Sequence, residues 1–574
     1  MQPKFTIRAG LVCLVLAVVA YVYGVDSRFA PKNGDEYPYA HIVRLTSAAG
    51  SWLPLQSEML GVKNTKPPLL FWQGMVSTDW GKQWSLQQLR IPSLIYTGLT
   101  ALLLFFSLWK ISKQIQVGLL GAVLWLSFFA TYRYGRPYLA DPPEVFWLSL
   151  PFFGLLILGK PAFQSKFIFP FFAAIALGFG LLYKSFAYVV PACLVLSVWY
   201  WRVNTGGTFG FIKQDLLKVL GIGVLSLGIF ALWFVVDPNP TAIWNEFILG
   251  ENVGKFEARS SNYLQDFIWG GDSVGMLWVT SIANTGFLFF TTLAMLYGAV
   301  RYRKSSKGEE SLLWIWILIF FIVFSLPSQR SARYLLPVMP AVAALIALHW
   351  QQLGVWSFRL ALFLQILILI TLAWLAWNLQ TGFVGDGNLT WSYPLWHWGA
   401  TVGALILLMI GLWHAPWSKS IALLGCFICY GALSSSLMPL DQQLGRFTSD
   451  TIKAVQGKTV WFPCDFRAKD EEYRLLLPGA TIHGYPANQV NQGEQLARTY
   501  PFFATQTPLN ASPPVCDACF ILGSRVEMRA RHSDAEIKSM LLGKVSENLF
   551  VREYLIFSPN AKTDLAVFQK NSCR

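Results

Sequence analysis

The sequence predicts an α-helical polytopic membrane protein with about 13 transmembrane helices and a small C-terminal soluble α/β domain. Of its 574 residues, 54% are hydrophobic and only 13% are charged, whereas soluble domains carry roughly a quarter charged residues. The mean hydropathy is +0.44. Apolar runs of about 20 residues, the length that crosses about 30 Å of hydrocarbon, recur along most of the chain. Together these observations exclude a single soluble core.

Thirteen apolar runs come close to the length of a membrane span. The predicted spans are 8–24, 91–109, 115–131, 143–159, 167–183, 186–201, 216–236, 274–300, 311–326, 334–350, 356–378, 396–413 and 420–438.

The distribution of charge orients these spans. The formal net charge is +14, and one alternate set of connections holds 15 basic and only three acidic residues. The opposite connections hold 14 of each sign. By the positive-inside rule, the N-terminus is predicted to be cytoplasmic. An odd number of spans places the tail on the far side, in the periplasm of a Gram-negative bacterium. The basic excess is therefore explained by topology, and no nucleic-acid partner is predicted.

The predicted domains are a membrane domain over 1–438 and a soluble domain over 439–574. The membrane domain has two long outer loops, 25–90 and 237–273, and a short helix is predicted within 241–257. A tail of roughly 130 residues is long enough for its own core.

Strand and helix patterns in the tail are typical of an α/β domain. Ser533-Asp-Ala-Glu536 is a capping-box sequence and predicts the start of a helix over 533–542. The predicted strands are 459–463, 519–522, 553–557 and 564–568.

The eight cysteines divide into two sets. Cys13, Cys193, Cys426 and Cys429 fall in apolar spans, so Cys426-x-x-Cys429 is interpreted as core packing rather than a metal site. Cys464, Cys516, Cys519 and Cys573 lie in the tail, where an oxidising compartment favours disulfides. Four cysteines allow three pairings, and the sequence does not choose among them.

Charged residues gather where the outer connections meet the membrane. They are Asp35, Glu36, Lys66, Arg136, Asp141, Lys184, Glu251, Lys255, Arg330 and Arg333. Chemistry at a lipid phosphate needs fixed cations to neutralise the phosphate and a carboxylate to orient or deprotonate a nucleophile. These residue types at a membrane edge therefore predict an enzyme or transporter that acts on an anionic amphiphile.

Each of these residues also has a structural interpretation. Asp35-Glu36 is also typical of a solvated loop or a helix N-cap. Lys66 suits an interfacial anchor that snorkels. Asp141 before two prolines suits the N-cap of the fourth span, and Arg136 suits a simple ion pair with Asp141.

The first outer loop closely resembles membrane glycosyltransferases of the GT-C superfamily, specifically the aminoarabinose transferase (ArnT) and protein O-mannosyltransferase group. The matching motifs occur in order and are Asp35-Glu36-Tyr37, Arg44, Trp52-Leu-Pro-Leu, Lys66-Pro-Pro-Leu-Leu-Phe-Trp72 and Arg90-Ile-Pro.

The later motifs agree less closely. Arg136-Pro-Tyr-Leu-Ala-Asp141-Pro is similar to the second acidic motif of the family, and Arg333-Tyr334-Leu-Leu-Pro matches its loop before span 10. Lys184 is followed by Ser185 where the family has glycine. Glu251-Asn-Val-Gly-Lys255-Phe resembles Glu-His-x-x-Arg-Phe, with Asn252 for histidine and Lys255 for arginine.

The resemblance implies a sugar transferase that uses a polyprenyl (undecaprenyl) phosphate donor and inverts the anomeric carbon. It implies Asp35 as the main catalytic carboxylate, with Asp141 and Glu36 in the catalytic group. The residues implied for the carrier phosphate are Lys66, Lys255, Arg333 and Tyr334. Weaker substrate-binding roles are implied for Arg44, Arg136, Lys184 and Glu251. The resemblance implies that no cofactor or metal is required, and the sequence leaves undecided whether a divalent metal binds.

By the same resemblance, the favoured acceptor is a lipid A phosphate at the periplasmic face of the bacterial inner membrane, and the sugar is 4-amino-4-deoxy-L-arabinose or a similar one. Protein hydroxyls or another envelope glycan are the alternative acceptors. A transporter or flippase for a lipid-linked anion is the alternative of another class, and it predicts charges at the membrane midplane. The charges instead cluster at the ends of the spans.

Overall fold

A computed structural model gives the fold of most of the chain. The described residues are 5–59, 63–256, 263–269, 273–301, 308–381, 391–464, 468–490, 492–509, 511, 518–529, 533–541 and 548–561.

Helices dominate the chain up to residue 441. Its first half contains α1 (Ile7–Val22), α2 (Glu36–Ala48), α3 (Leu69–Ser77), α4 (Leu86–Ser112), α5 (Ile115–Ser127), α6 (Phe129–Gly135), α7 (Asp141–Leu158), α8 (Lys160–Gln164), α9 (Ile168–Leu181), α10 (Val189–Val203), α11 (Gly207–Gln214), α12 (Leu216–Val236) and α13 (Pro240–Ile243). Its second half contains α14 (Tyr263–Ile268), α15 (Val274–Ala283), α16 (Phe289–Arg301), α17 (Gly308–Ser325), α18 (Met339–Leu348), α19 (Val355–Thr381), α20 (Leu395–Trp413) and α21 (Ala415–Asp441). Short 3₁₀ turns lie at Phe186–Tyr188, Val253–Phe256, Gly286–Leu288 and Ala332–Val338.

The fold class is confirmed, and the chain is a multi-pass membrane protein. Among the described residues, eight helices are long and apolar enough to cross a membrane, and two bent helix pairs would raise the number to ten. One bent pair is α5 with α6, at 64°. Three further apolar helices are shorter. Every predicted run coincides with one of these elements, but the count of thirteen spans stays a prediction.

The outer loop after α12 is helical through the described part of the predicted segment 241–257, but its geometry is not that of one regular α-helix. It forms α13, then a π-helix at Trp244–Asn252 and a 3₁₀ turn. Phe247 in the π-helix is buried and packs against Phe230 and Trp233 of α12 at ring distances of 6.0 and 5.4 Å. This aromatic contact holds the loop against the end of a span.

A five-stranded sheet forms the C-terminal region. Its strands are β1 (Thr459–Cys464), β2 (Thr481–Pro486), β3 (Phe502–Pro508), β4 (Phe520–Met528) and β5 (Phe550–Phe557), in the spatial order β2-β1-β3-β5-β4. β1 runs parallel to β2 and β3, whereas β5 runs antiparallel to β3 and β4. The short helices around the sheet are α22 (Ser449–Val455), α23 (Asp470–Leu476), α24 (Gly493–Thr499) and α25 (Asp534–Leu541), with a 3₁₀ turn at Ala487–Gln489.

The tail elements that were predicted from sequence are mostly present. β1 and β5 contain the strands predicted at 459–463 and 553–557, β4 overlaps the one predicted at 519–522, and α25 is the predicted helix. Its capping box forms, since the Ser533 backbone N–H donates to Glu536 at 2.7 Å and the Glu536 N–H donates to Ser533 Oγ at 3.3 Å. The strand expected at 564–568 lies outside the described residues. β2 and β3 were not predicted, because Gly484 and Pro486 in β2 and Pro508 in β3 weaken the strand pattern.

The cysteines follow the predicted division as far as they are described. The four in apolar spans are free, and Cys426 and Cys429 are buried in the core of the helical bundle. Cys464 and Cys519 are both disulfide-bonded. Cys516 and Cys573 lie outside the described residues.

Alkylation of the denatured, unreduced protein should therefore modify the four cysteines of the spans and spare Cys464 and Cys519. Peptide mass spectrometry before and after reduction measures this directly. Alkylation of Cys464 or Cys519 before reduction would contradict the assignment.

Candidate active site

One arginine joins two carboxylates at the edge of the helical bundle. Asp35 occupies the N-cap position of α2, and its side chain is 46% exposed. Arg333 lies in the 3₁₀ turn before α18, and its Nη1 donates to Asp35 Oδ2. The same guanidinium donates to Asp141 through Nε at 3.0 Å and through Nη2 at 2.6 Å. Three segments that are far apart in sequence therefore meet at one planar fork.

Asp141 is the buried member of this group. It begins α7, where two prolines follow at helix positions that need no N–H donor, and only 2% of its side chain is exposed. Lys184 Nζ donates to Asp141 Oδ1 at 2.9 Å and to Glu144 Oε2 at 2.7 Å. Because buried carboxylates are costly without cationic partners, this pairing lets both stay in the bundle.

Lys66 and Glu251 form a second, more open part of the site. Lys66 Nζ lies 3.3 Å from Glu251 Oε2, and their side chains are 16% and 33% exposed. Lys66 also donates to the backbone carbonyl of Thr65 at 2.8 Å.

Charges from both parts of the site act on one tyrosine of α2, Tyr39. Burial raises the pKa of Tyr39 well above its usual value, and the negative charges of Asp35, Asp141 and Glu251 add to the rise while Arg333 opposes it. Charged groups from four segments therefore act together on the pKa of this one phenol. We call Asp35, Arg333, Asp141, Lys184 and Glu144 the carboxylate cluster, and Lys66 with Glu251 the open pair.

Two of the three positions that depart from the family motifs are in contact. Ser185 Oγ donates to Asn252 Oδ1 at 2.6 Å, and both residues are buried. Asn252 also donates through Nδ2 to the Phe247 carbonyl at 2.7 Å.

Glu36 points away from Asp35 into the protein. It is 2% exposed and receives two hydrogen bonds of 2.6 Å from the Arg90 guanidinium. It also accepts the Tyr138 N–H at 2.8 Å. Arg90 in turn donates to the carbonyls of Val25 and Ser27. In this arrangement Glu36 fixes the start of the first outer loop and is not open to a substrate.

Arg136 also lies outside the cluster, and it does not pair with Asp141. It is fully buried, and its guanidinium donates to the Ala30 carbonyl at 2.7 Å and to the Tyr132 hydroxyl at 2.8 Å. A weaker contact of 3.2 Å reaches Ser434 on α21. Arg136 therefore holds the segment after α1 against the bundle.

Arg44 connects α2 to the C-terminal region instead of facing the site. Its guanidinium makes three hydrogen bonds of 2.7 to 3.1 Å to Glu471 on α23. His41, one turn earlier, places Nδ1 at 2.6 Å from the same carboxylate. The helix that begins at Asp35 is therefore anchored by a buried carboxylate 430 positions along the chain from His41.

His41, Asp470 and Glu471 lie close enough together to bind a metal ion. The ring nitrogens of His41 are, however, already engaged. The Glu58 backbone N–H donates to His41 Nε2 at 3.1 Å, so Nε2 is an acceptor and the proton of the neutral ring lies on Nδ1, facing Glu471. The hydrogen bonds thus account for this group without a metal.

The remaining predicted residues contribute less to the geometry. Tyr334 is partly buried, packs its ring against Phe324 at 6.0 Å, and accepts a hydrogen bond from the Tyr188 hydroxyl at its carbonyl. The side chain of Lys255 lies outside the described part of the structure.

Sequence reasoning missed two residues. Glu144 lies three residues after Asp141, so the i, i+3 spacing on a helix was the available signal. Glu471 has no such signal, because its partners are distant in sequence.

Comparison with known proteins agrees with this architecture. A family model described as dolichyl-phosphate-mannose-protein mannosyltransferase (PMT) matches residues 10–244. The crystal structure of ArnT from Cupriavidus metallidurans, in the apo state and with undecaprenyl phosphate bound, superposes with a TM-score of 0.57 at 15% identity, covering 96% of this chain and 99% of that one. The chain has the ArnT fold. The predicted resemblance to the aminoarabinose transferase and protein O-mannosyltransferase group is confirmed.

Sequence relatives point the same way. An undecaprenyl phosphate-alpha-4-amino-4-deoxy-L-arabinose arabinosyl transferase of Sodalis glossinidius is 26% identical over 346 residues, which cover 59% of this chain and 58% of that protein. One of Yersinia enterocolitica is 24% identical over 448 residues, covering 70% of this chain and 76% of that protein. The first match therefore spans little more than half of the relative's length.

The anchor of α2 predicts an acid-dependent loss of stability. Burial alone would raise the pKa of Glu471, but hydrogen bonds from His41 and Arg44 and the charge of Arg474 outweigh burial and lower it to about 2. A lowered pKa stabilises the fold above the unfolded value near 4.3, and this is lost as the pH falls towards 2. The full effect is about 3 kcal/mol.

Melting temperatures of the detergent-solubilised protein at pH 3 to 7 measure this effect. Glu471→Gln should lower stability at pH 7 and show a weaker fall towards pH 3 than the wild type. Glu494→Gln is the matched control, because Glu494 is 79% exposed on α24. Equal pH profiles of the wild type and Glu471→Gln would refute this role.

Proposed function

We propose that the chain is an inverting glycosyltransferase. It takes a sugar, 4-amino-4-deoxy-L-arabinose or a similar one, from a polyprenyl (undecaprenyl) phosphate carrier. It passes the sugar to a lipid A phosphate at the periplasmic face of the bacterial inner membrane. The family match, the relatives' names and the ArnT fold support this proposal.

The observation that carries the proposal is the unequal exposure of the two aspartates. Asp35 is 46% exposed while Asp141 is 2% exposed, and both are bound to Arg333. Only Asp35 is open to a substrate, so it is the carboxylate that orients an acceptor phosphate or takes the proton of an acceptor hydroxyl. Asp141 acts through Arg333, whose direction it fixes.

The open pair suits the donor phosphate. Lys66 is a cation at the rim of the site, and its partner Glu251 is one-third exposed. The donor phosphate is a diester with one negative charge, so it can neutralise Lys66 in place of the Glu251 carboxylate. The phosphate gains negative charge when the sugar leaves, and this strengthens its attraction to Lys66. Lys255 follows the π-helix that carries Glu251, and Tyr334 follows Arg333. On the resemblance to the family motifs, we assign both to the carrier as well.

The proposed transfer uses these groups without a cofactor. The bond between the anomeric carbon and the carrier phosphate oxygen breaks, and its electron pair stays on that oxygen, where Lys66 stabilises the added negative charge. An acceptor oxygen forms the new bond from the opposite face of the sugar, which inverts the anomeric carbon. When the acceptor is a hydroxyl, its proton passes to Asp35; a phosphate acceptor is already ionised.

A transporter explains the arrangement less well. Charges that carry an anion across a membrane are expected along the bundle interior near the midplane. In the described residues the carboxylate cluster lies at helix ends, with Asp141 at the first position of α7 and Lys184 between α9 and α10. This favours chemistry at the membrane surface, where a lipid headgroup can enter while its tail stays in hydrocarbon. We place this surface in the periplasm, with a cytoplasmic N-terminus, on the basis of loop charge.

Lipid A from cells with the gene should carry an added sugar mass that is absent from cells without it. Complementation with Asp35→Asn should leave lipid A unmodified while the protein stays folded and inserted. Mass spectrometry of extracted lipid A, with immunoblotting of membranes, measures both.

Asp79→Asn is the matched control, since Asp79 lies in the same outer loop, is 54% exposed, and pairs only with nearby Lys82 among the described residues. It should restore the modification. Unchanged lipid A with glycosylated membrane proteins would instead favour protein hydroxyls as acceptors. Normal modification by Asp35→Asn would remove Asp35 from the catalytic role.

Lys66→Ala should raise the KM for the polyprenyl-phosphate sugar by tenfold or more, because a charge-assisted hydrogen bond contributes about 1.5 to 3 kcal/mol. Steady-state kinetics of the purified protein in detergent give the value. Lys82→Ala, at a side chain that is 75% exposed in the same loop, should leave the KM unchanged. A normal KM in Lys66→Ala would assign the carrier phosphate to other cations.

A further inference from the structure

We propose that the hydrogen bond between Ser185 and Asn252 is a latch that couples the open pair to the carboxylate cluster. Ser185 and Asn252 are then positioning residues, which touch neither the sugar nor the phosphate. The catalytic part of this proposal rests on the proposed function, whereas its mechanical part does not.

The latch has a defined direction. Asn252 gives its amide nitrogen to the Phe247 carbonyl at 2.7 Å, so its oxygen is the atom that faces Ser185. Ser185 Oγ donates to that oxygen at 2.6 Å, and the two residues are 7% and 8% exposed. With little water nearby, a directional bond of this kind is stronger than it would be at a surface.

On one side the latch holds the π-helix, which contacts the Lys66 segment twice. Glu246 accepts the Asn64 backbone N–H at 2.9 Å, and Glu251 accepts from Lys66 at 3.3 Å. Asn252 is the last residue of the same π-helix. A movement of this helix therefore displaces the segment that carries Lys66.

On the other side the latch begins at the residue next to Lys184. Lys184 is held by Asp141 and Glu144, and Asp141 is held by Arg333. The complete path from the open pair to the exposed carboxylate is Lys66, Glu251, Asn252, Ser185, Lys184, Asp141, Arg333 and Asp35. Each step in it is a hydrogen bond, an ion pair or one peptide unit.

Two features argue that this contact is more than packing. π-Helices are rare and occur mainly at functional sites. The aromatic contact between Phe247 and Phe186, at 6.2 Å, also joins the two sides, but ring contacts permit sliding, whereas the hydrogen bond fixes one register. Ser185 and Asn252 are also two of the three residues at which this chain departs from the motifs of the group it resembles, and these two departures complement each other.

The test combines a double-mutant cycle with hydrogen exchange on the full-length purified protein. Ser185→Ala, Asn252→Ala and the double variant should each lower kcat/KM by about two- to tenfold, the effect of one buried hydrogen bond. The double variant should lose no more than the worse single one, because the latch is broken once. Ser185→Thr keeps the hydroxyl and should stay near the wild type.

Hydrogen exchange gives a readout that needs no activity. In Ser185→Ala, peptides covering 244–252 and 63–68 should both exchange faster, although Ser185 is hydrogen-bonded to the first of these segments and not to the second. Its other hydrogen bond, from the Ala187 N–H at 3.2 Å, stays within its own 3₁₀ turn. Ser226→Ala is the matched control, since Ser226 is fully buried on α12 and donates to the Ala174 carbonyl at 3.1 Å; it should change neither peptide.

Additive losses in the cycle, or unchanged exchange of 63–68 in Ser185→Ala, would overturn the latch. A wild-type protein without sugar transfer would contradict the proposed function alone. The exchange of 63–68 would then decide whether the mechanical coupling exists.

Discussion

The site depends on the guanidinium of Arg333. Its planar fork binds a buried carboxylate, Asp141 on α7, and an exposed one, Asp35 at the start of α2. Asp35 and Asp141 are not hydrogen-bonded to each other, so the arginine is the link between them. A lysine would supply the charge but not two fixed directions. Because Asp141 receives two hydrogen bonds from this fork, the direction left for Asp35 is set by the buried partner.

Burial of this cluster explains how its geometry survives at a membrane edge. Asp141, Glu144 and Lys184 are almost entirely buried, and charged groups in such a position are tolerated only when each has a partner. Two carboxylates around one lysine would leave an excess negative charge, which Arg333 balances. Removing Lys184 leaves Glu144 without a charged partner in a poorly solvated place, and removing Arg333 leaves two carboxylates to share one lysine. Burying these charges lowers the stability of the fold. In return, the buried groups hold Arg333, and through it Asp35, in a fixed position.

The sequence predicted which residues approach the membrane edge but not how they pair. Asp141, Lys184 and Arg333 were identified because each adjoins the end of an apolar run, and Asp35 because it opens an acidic pair in the first outer loop. Arg136, five positions before Asp141, was the obvious partner, yet it turns to the Ala30 carbonyl. Glu36 likewise points away from its neighbour Asp35, since adjacent residues at a helix start point about 100° apart.

The Glu471 anchor joins residues 430 positions apart, and no local sequence pattern predicts such a contact. The π-helical geometry within the helical outer loop had no local signal either; in this segment Phe247 packs on Phe230 and Trp233 of α12.

The structure also separates two kinds of cation that the sequence grouped together. Lys66 and Arg333 were both expected to bind the carrier phosphate. The pair of Lys66 with Glu251 is partly solvated, and pairs of this kind contribute only about 0 to 1 kcal/mol, so an incoming phosphate can replace the carboxylate at little cost. Arg333 is bound to a carboxylate that is 2% exposed, and exchanging that partner would strand a buried charge. Lys66, whose partner can be exchanged, therefore suits recognition of the phosphate, and Arg333, whose partner is fixed, suits the positioning of Asp35. On this argument Arg333 meets the substrate only through the side of its fork that also holds Asp35.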